Sequence, residues 1–218
     1  MITSRSARPV ATKQAVSLAI VVDDDQELRE GIANLLRSVG QETAVFGSPH
    51  DYLEASLPNV PSCLLLDIRL QGVSGFEFQA HLERIGARIP IVFMTGHGDI
   101  AMGVRAMKAG AVDFLTKPFR DQDMIDVIAE AIERDRRRRN ADDALRAVRG
   151  CYESLTPREK EVMHYVVRGL LNKQIAGEMG LQEITVKIHR GNMVRKMNVR
   201  SVADLVRIAE SLGLYKDS

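Results

Sequence analysis

The feature that most restricts the fold is an alternation. Between Ser17 and Arg139, five short apolar runs are each followed by a segment with helical spacing. The runs are SLAIVV (17–22), TAVFG (43–47), CLLLD (63–67), IVFMTG (91–96) and AVDFLTKP (111–118). The segments are QELREGIANLLRSVG (26–40), SPHDYLEASL (48–57), SGFEFQAHLERIG (74–86), DIAMGVRAMKAG (99–110) and DQDMIDVIAEAIERDRRRR (121–139). Leu28, Ile32, Leu35 and Leu36 carry the helical period, Ser74 reads as an N-cap, and Gly40 and Gly86 read as stops. Alternation of this kind predicts a parallel sheet covered by helices on both faces.

In an open α/β sheet the site lies outside the carboxyl ends of the strands. The first strand delivers Asp23 and Asp24 there, the third Asp67, the fourth Thr95, and the fifth Lys117 followed by Pro118. Three carboxylates on one rim repel each other unless a cation is present. Hard oxygen ligands that leave room for water suit Mg²⁺, with Mn²⁺ the substitute. Asp67 can then act as a nucleophile toward phosphorus and form an acyl phosphate. Lys117 offers a point charge to phosphoryl oxygens and Thr95 a hydroxyl donor. Phosphoryl transfer needs mainly positioning and charge neutralisation, which this set supplies. Taken singly, each residue reads as a rim charge, a cap or a turn former.

The stretches VVDDD, LLLDIRL…G, MTGHGD and AMKAGAVDFLTKPF resemble the receiver domain of two-component response regulators over residues 17–135. The resemblance implies a flavodoxin-like (βα)5 fold with parallel strand order 2-1-3-4-5. It makes Asp67 the phosphoacceptor, with Asp23, Asp24, Asp67 and the backbone carbonyl of Arg69 as metal ligands. Thr95 and Lys117 match the switch hydroxyl and the phosphate-binding lysine. Phe114 matches the aromatic switch, although a Phe on a strand also reads as core. It further implies a cis Lys117–Pro118 bond. Two departures stand out: Asp25 where Glu is common, and RLQGVSG without the proline common two residues after Arg69.

No Gly or Pro occurs between Arg120 and Arg149, so a long connector helix is expected. Ile125, Ile128 and Ile132 form one apolar stripe; Leu145, Val148 and Tyr152 form another. ERDRRRRN (133–140) lies between them and reads as a solvated helical face, with Asp135 pairing Arg139; a DNA-binding or nuclear-targeting patch is the alternative. From Leu155 the pattern changes. Thr156, Pro157 and Glu159 make a capping box before Val162, Tyr165, Val166 and Leu170. NKQIAGEMG, stopped by Gly180, then QEITVKIHRGNMVRKM read as a helix-turn-helix, and SVADLVRIAESLG as a last helix. The second helix of such a motif enters the major groove. Lys187 and Arg190 suit guanine or phosphate and Ile188 a thymine methyl, while Arg195 and Lys196 suit the phosphate backbone.

LTPRE…GLLNKQIA…ITVKIHR…K resembles the four-helix LuxR/FixJ/NarL-type domain over residues 155–214. The match places its helix-turn-helix at Asn172 to Gly191, with Thr185, Lys187, Ile188 and Arg190 as the chief DNA contacts. Gly191 stands where many members carry a basic or polar contact. Val202, Leu205, Val206 and Ala209 match a dimer helix; packing within their own domain is the alternative.

The expected organisation is a disordered tail (1–16), a receiver (17–133), a linker helix (134–153) and an all-α DNA-binding domain (154–218). Residues 17–125 carry 9 basic and 15 acidic side chains, and residues 155–218 carry 11 and 7. That contrast suits two modules with different partners. Two cysteines, Cys63 and Cys151, lack metal-ligand spacing, and His164 and His189 have no suitable second ligand. No apolar run approaches a membrane span or a secretory signal, so a cytoplasmic chain is expected. The function expected is a phosphorylation-dependent transcriptional regulator, not an enzyme. Its partners would be a cognate sensor histidine kinase, double-stranded promoter DNA, a second copy of the chain on phosphorylation, and RNA polymerase. The rivals are an aspartyl-phosphate phosphatase or phosphotransferase, and a constitutive DNA-binding protein with an inactive receiver.

Overall fold

The computed structural model describes residues 17–96 and 100–214. The expected tail, the HGD of MTGHGD and the last four residues lie outside the described residues. The chain divides into two compact units between Arg138 and Arg139.

In the first unit the elements alternate as expected. They are β1 (Leu18–Val22), α1 (Gln26–Ser38), β2 (Glu42–Phe46), α2 (Pro49–Glu54), β3 (Ser62–Asp67), α3 (Gly75–Arg84), β4 (Ile91–Thr95), α4 (Ile100–Lys108), β5 (Asp113–Thr116) and α5 (Asp121–Glu153), whose residues from Arg139 onward belong to the second unit. All pairings are parallel, in the order β2-β1-β3-β4-β5. Strand parity divides the core. Ile20, Leu64, Leu66 and Phe93 pack with Phe78 and Leu82 of α3. Ala19, Val21, Leu65, Val92 and Met94 pack with Ile32 and Leu36 of α1 and with Met124, Ile128 and Ile132 of α5. Each buried large aliphatic or aromatic side chain contributes about 1.5–3 kcal/mol. β1, β3 and β4 are buried along their whole length, which explains their unbroken apolar runs.

Two expectations are corrected here. The second helix stops at Glu54 rather than continuing to Leu57, with Ala55 already extended. Pro58 disfavours a helical backbone at Leu57, so the helix could not have run to that residue. The charged run is not wholly solvated. Asp135 is fully buried and accepts from the Ser62 N–H at 3.0 Å and from Arg138 at 2.6 Å. A buried carboxylate needs such partners, and this one fastens α5 to the start of β3. Arg136 and Arg137 pair with Glu133, as a helical face of alternating charge would. α5 itself is continuous over 33 residues.

The second unit contains α6 (Pro157–Val167), α7 (Asn172–Met179), α8 (Glu183–Met197) and α9 (Val202–Ser211). Both halves of the Thr156–Glu159 capping box are present. Gly180 ends α7 at φ +63°, a left-handed conformation that favours glycine. Leu155, Val162, Val166, Ile175, Val186, Met193 and Leu205 form a core of their own. Leu205 and Ala209 of α9 belong to that core, Val206 packs against it, and Val202 is exposed. Cys63 is buried, and both cysteines are free thiols.

Candidate functional site

Parallel pairing brings the strand ends level. Val22 lies beside Phe46 and Leu66, Asp67 beside Met94, and Thr95 beside Thr116. The polar residues at these ends meet on one rim. One carboxylate oxygen from each of Asp23, Asp24 and Asp67 lies within 4.8 Å of the others. Asp23 and Asp67 are buried, and Asp24 is half-buried. The Lys117 ammonium bridges them, 2.5 Å from Asp23 Oδ2 and 3.0 Å from Asp67 Oδ2.

Burial pushes the Asp23 carboxyl above its ordinary range, against the lowering effect of Lys117 and the Asp25 N–H. Burial also works against the charge on Lys117, but its bonds to Asp23 and Asp67 outweigh that and raise its pKa. Three carboxylates facing one ammonium leave an excess of negative charge. The donor set therefore fits a divalent metal ion.

The remaining expected residues are arranged around this cluster. Thr95 is buried, with its hydroxyl 3.4 Å from the Gly96 carbonyl. The Lys117 N–H donates to the Thr95 carbonyl at 2.7 Å, tying β5 to β4 at the rim. Arg69 is exposed, and its N–H donates to Asp67 Oδ1 at 3.2 Å. Phe114 is half-buried and packs against the half of the core that holds Phe78 and Phe93, its ring lying over Gly103 of α4. The Lys117–Pro118 bond is cis.

Some residues that shape the rim escape a reading of the sequence. Arg29 donates to the Asp23 carbonyl at 2.5 Å, and the Asp25 N–H donates to Asp23 Oδ1 at 2.9 Å. Gly75, at the start of α3, lies against the backbone behind Asp67. A Cβ there would strike the Asp67 carbonyl oxygen and come within 3.1 Å of the Ile68 Cα. Backbone cannot rotate aside as a side chain can. Gly75→Ala is therefore expected to lower stability by about 1–3 kcal/mol, read from the urea midpoint. An unchanged midpoint would mean that the loop yields freely.

The second unit presents a different surface. α7, the turn at Gly180 and α8 form the expected helix-turn-helix. Val186, Met193 and Met197 bury one side of α8. Ile184, Lys187, Ile188, Gly191 and Arg195 are exposed, and Thr185 is half-buried. Two residues expected to touch nucleic acid have partners within the chain. Arg190 donates to Asn172 Oδ1 at 2.8 Å, fastening the start of α7 to α8. Lys196 donates to the buried Glu159 at 2.7 Å and to the Ser154 carbonyl at 3.2 Å. Lys196, together with the capping contacts at Thr156, holds the Glu159 carboxyl below its usual range. Ile184, which is not among the expected contacts, is exposed four residues before Ile188.

Comparison with known proteins agrees with both units. Residues 19–129 match the response regulator receiver domain, and residues 153–209 match the bacterial regulatory proteins of the luxR family. The chain is similar to nodulation protein W of Bradyrhizobium diazoefficiens, 52% identical over 91% of this chain and 87% of that one. It is similar to the response regulator protein TodT of Pseudomonas putida, 43% identical over 93% of this chain and 88% of that one. Among solved structures, the response regulator StyR superposes with a TM-score of 0.82 at 48% identity, covering 90% of this chain and 99% of that one. Among the described residues, no helix is long and apolar enough to cross a membrane.

Proposed function

Because the chain belongs to the two-component response regulators that carry a LuxR-type DNA-binding domain, we propose that Asp67 accepts a phosphoryl group and that its modification controls promoter binding. The observation that carries this reading is the Lys117 ammonium held between Asp23 and Asp67 at the mouth of an acidic cluster. Membership of that family makes the chain a regulator rather than an enzyme.

A sensor histidine kinase presents a phosphohistidine. An Asp67 carboxylate oxygen attacks phosphorus, the P–N bond breaks, and the imidazole leaves with its electron pair. Asp23, Asp24, Asp67 and the Arg69 carbonyl would hold Mg²⁺ or Mn²⁺, which supplies charge neutralisation for the incoming phosphoryl. Lys117 then exchanges its carboxylate partners for phosphoryl oxygens, and the Thr95 hydroxyl turns to donate to another. The Phe114 ring, seated over Gly103, is placed to follow that movement into α4.

In the second unit, α8 enters the major groove with Lys187 and Ile188 toward base edges and Arg195 toward phosphate. Arg190 and Lys196 act chiefly within the domain, as their bonds to Asn172 and Glu159 support. The full chain binds DNA as a dimer at paired half-sites.

A series of three variants tests the DNA assignment. Lys187→Ala is expected to lose about 1–3 kcal/mol of discrimination between selected and random duplexes. Arg195→Ala should weaken both equally and reduce the salt dependence by about one phosphate contact. Lys196→Ala should lower the thermal midpoint of the domain and leave the salt slope unchanged. A Lys196 variant of normal stability with a flattened slope would return that residue to the phosphate backbone.

A further inference from the structure

On that reading of the second unit, we infer that α8 reads thymine methyl groups at two positions through a paired apolar contact made by Ile184 and Ile188. Ile184 is 59% exposed and Ile188 58% exposed. Side chains four residues apart share one face of a helix, and Lys187 lies exposed on that same face. The opposite side of α8 is committed to the core through Val186, Met193 and Met197. The two isoleucines therefore occupy the face that a helix-turn-helix turns toward the major groove.

A duplex suits this face better than an apolar protein partner does. The apolar patch is only two side chains in size, with Lys187 exposed beside it and Arg195 further along the same face. Residues 155–218 carry an excess of basic side chains, 11 against 7 acidic. The major groove offers one apolar group, the thymine methyl, among polar base edges, and an aliphatic side chain recognises it. Four helical residues rise about 6 Å, close to two base-pair steps of about 3.4 Å each. The pair therefore spans two base-pair steps, with Lys187 beside the two contacts and near guanine or phosphate. One turn beyond Lys187 and Ile188, Gly191 has no side chain and open space around it, so reading by side chains stops there.

The preferred half-site is expected to contain two thymines, on either strand, separated by one base pair. The test uses the full-length chain treated with acetyl phosphate and Mg²⁺. Duplexes are selected from a randomised pool, and each thymine of the enriched site is replaced in turn by deoxyuridine, which removes only the methyl group. Binding is expected to weaken about fourfold at each of two positions two steps apart, equivalent to ~0.8 kcal/mol for one buried methyl group. Ile184→Ala should abolish the uracil effect at one position and Ile188→Ala at the other. Both residues are exposed, so neither variant removes core packing. Tolerance of uracil at every thymine, or the same uracil sensitivity in both variants, would overturn the inference while leaving DNA binding intact. Failure to enrich any sequence would overturn the DNA-binding reading itself.

Discussion

Asp67→Asn is expected to take up no phosphoryl group from acetyl phosphate and Mg²⁺, whereas the unaltered chain takes up one. Intact-mass measurement reads the difference directly. The substitution is nearly isosteric, and an amide oxygen can still accept from Lys117, so the rim should keep its shape. What it removes is the anionic nucleophile, because an amide cannot form the acyl phosphate. Asp24→Asn should behave differently. It keeps the nucleophile but thins the acidic cluster, so phosphorylation should slow and require more Mg²⁺. EDTA should suppress the reaction in every form that retains Asp67. Equal labelling of Asp67→Asn would move the acceptor to another residue and leave the Lys117 bridge as a structural ion pair. Labelling of neither form would favour a receiver that no longer accepts phosphoryl groups, with constitutive DNA binding.

The rim was legible because strand ends are legible. A parallel sheet turns its carboxyl ends to one side, so an apolar run ending in Asp67 declares where that aspartate sits. The alternation of apolar runs with helical segments likewise predicts a parallel sheet, but it leaves the strand order open; the order β2-β1-β3-β4-β5 is implied by the resemblance alone. What stayed hidden depends on partners distant in sequence. Asp135 stands among arginines and reads as solvated, yet its burial is decided by the Ser62 N–H, 73 residues away. Lys196 reads from its own helix as a phosphate contact, and nothing there announces the bond that its ammonium makes to Glu159, 37 residues earlier. Gly75 looks like an ordinary first residue of a helix; the close approach of the Asp67 carbonyl is a tertiary fact. Ile184 was hidden for the opposite reason. An exposed isoleucine and a core isoleucine look alike until the buried side of α8 is known.

Phosphorylation is expected to raise both the dimer fraction and the affinity for DNA, the latter by tenfold or more. Moving a population from 1:99 to 99:1 requires about 5.5 kcal/mol of differential stabilisation. A phosphoryl group held by Lys117 and Thr95 makes charge-assisted bonds that contribute about 1.5–3 kcal/mol each. Two such bonds supply roughly 3–6 kcal/mol before the loss of the Lys117 carboxylate contacts is subtracted. Phosphorylation alone therefore falls short of a complete switch, and dimerisation must supply the rest. Linkage then requires the reverse effect: cognate DNA that prefers the dimer must promote dimerisation. The second unit has a core of its own, so residues 139–218 should fold as a fragment and bind DNA without phosphorylation. Lacking the receiver, the fragment should show no response to acetyl phosphate. Sedimentation of both forms of the full chain, with DNA titrations of chain and fragment at one salt concentration, reads all of these terms. If the dimer fraction is unchanged and the unphosphorylated chain binds as tightly as the phosphorylated one, the coupling is absent. If only the affinity changes, with no change in self-association, phosphorylation acts within a single chain, and dimerisation is not the source of the missing free energy.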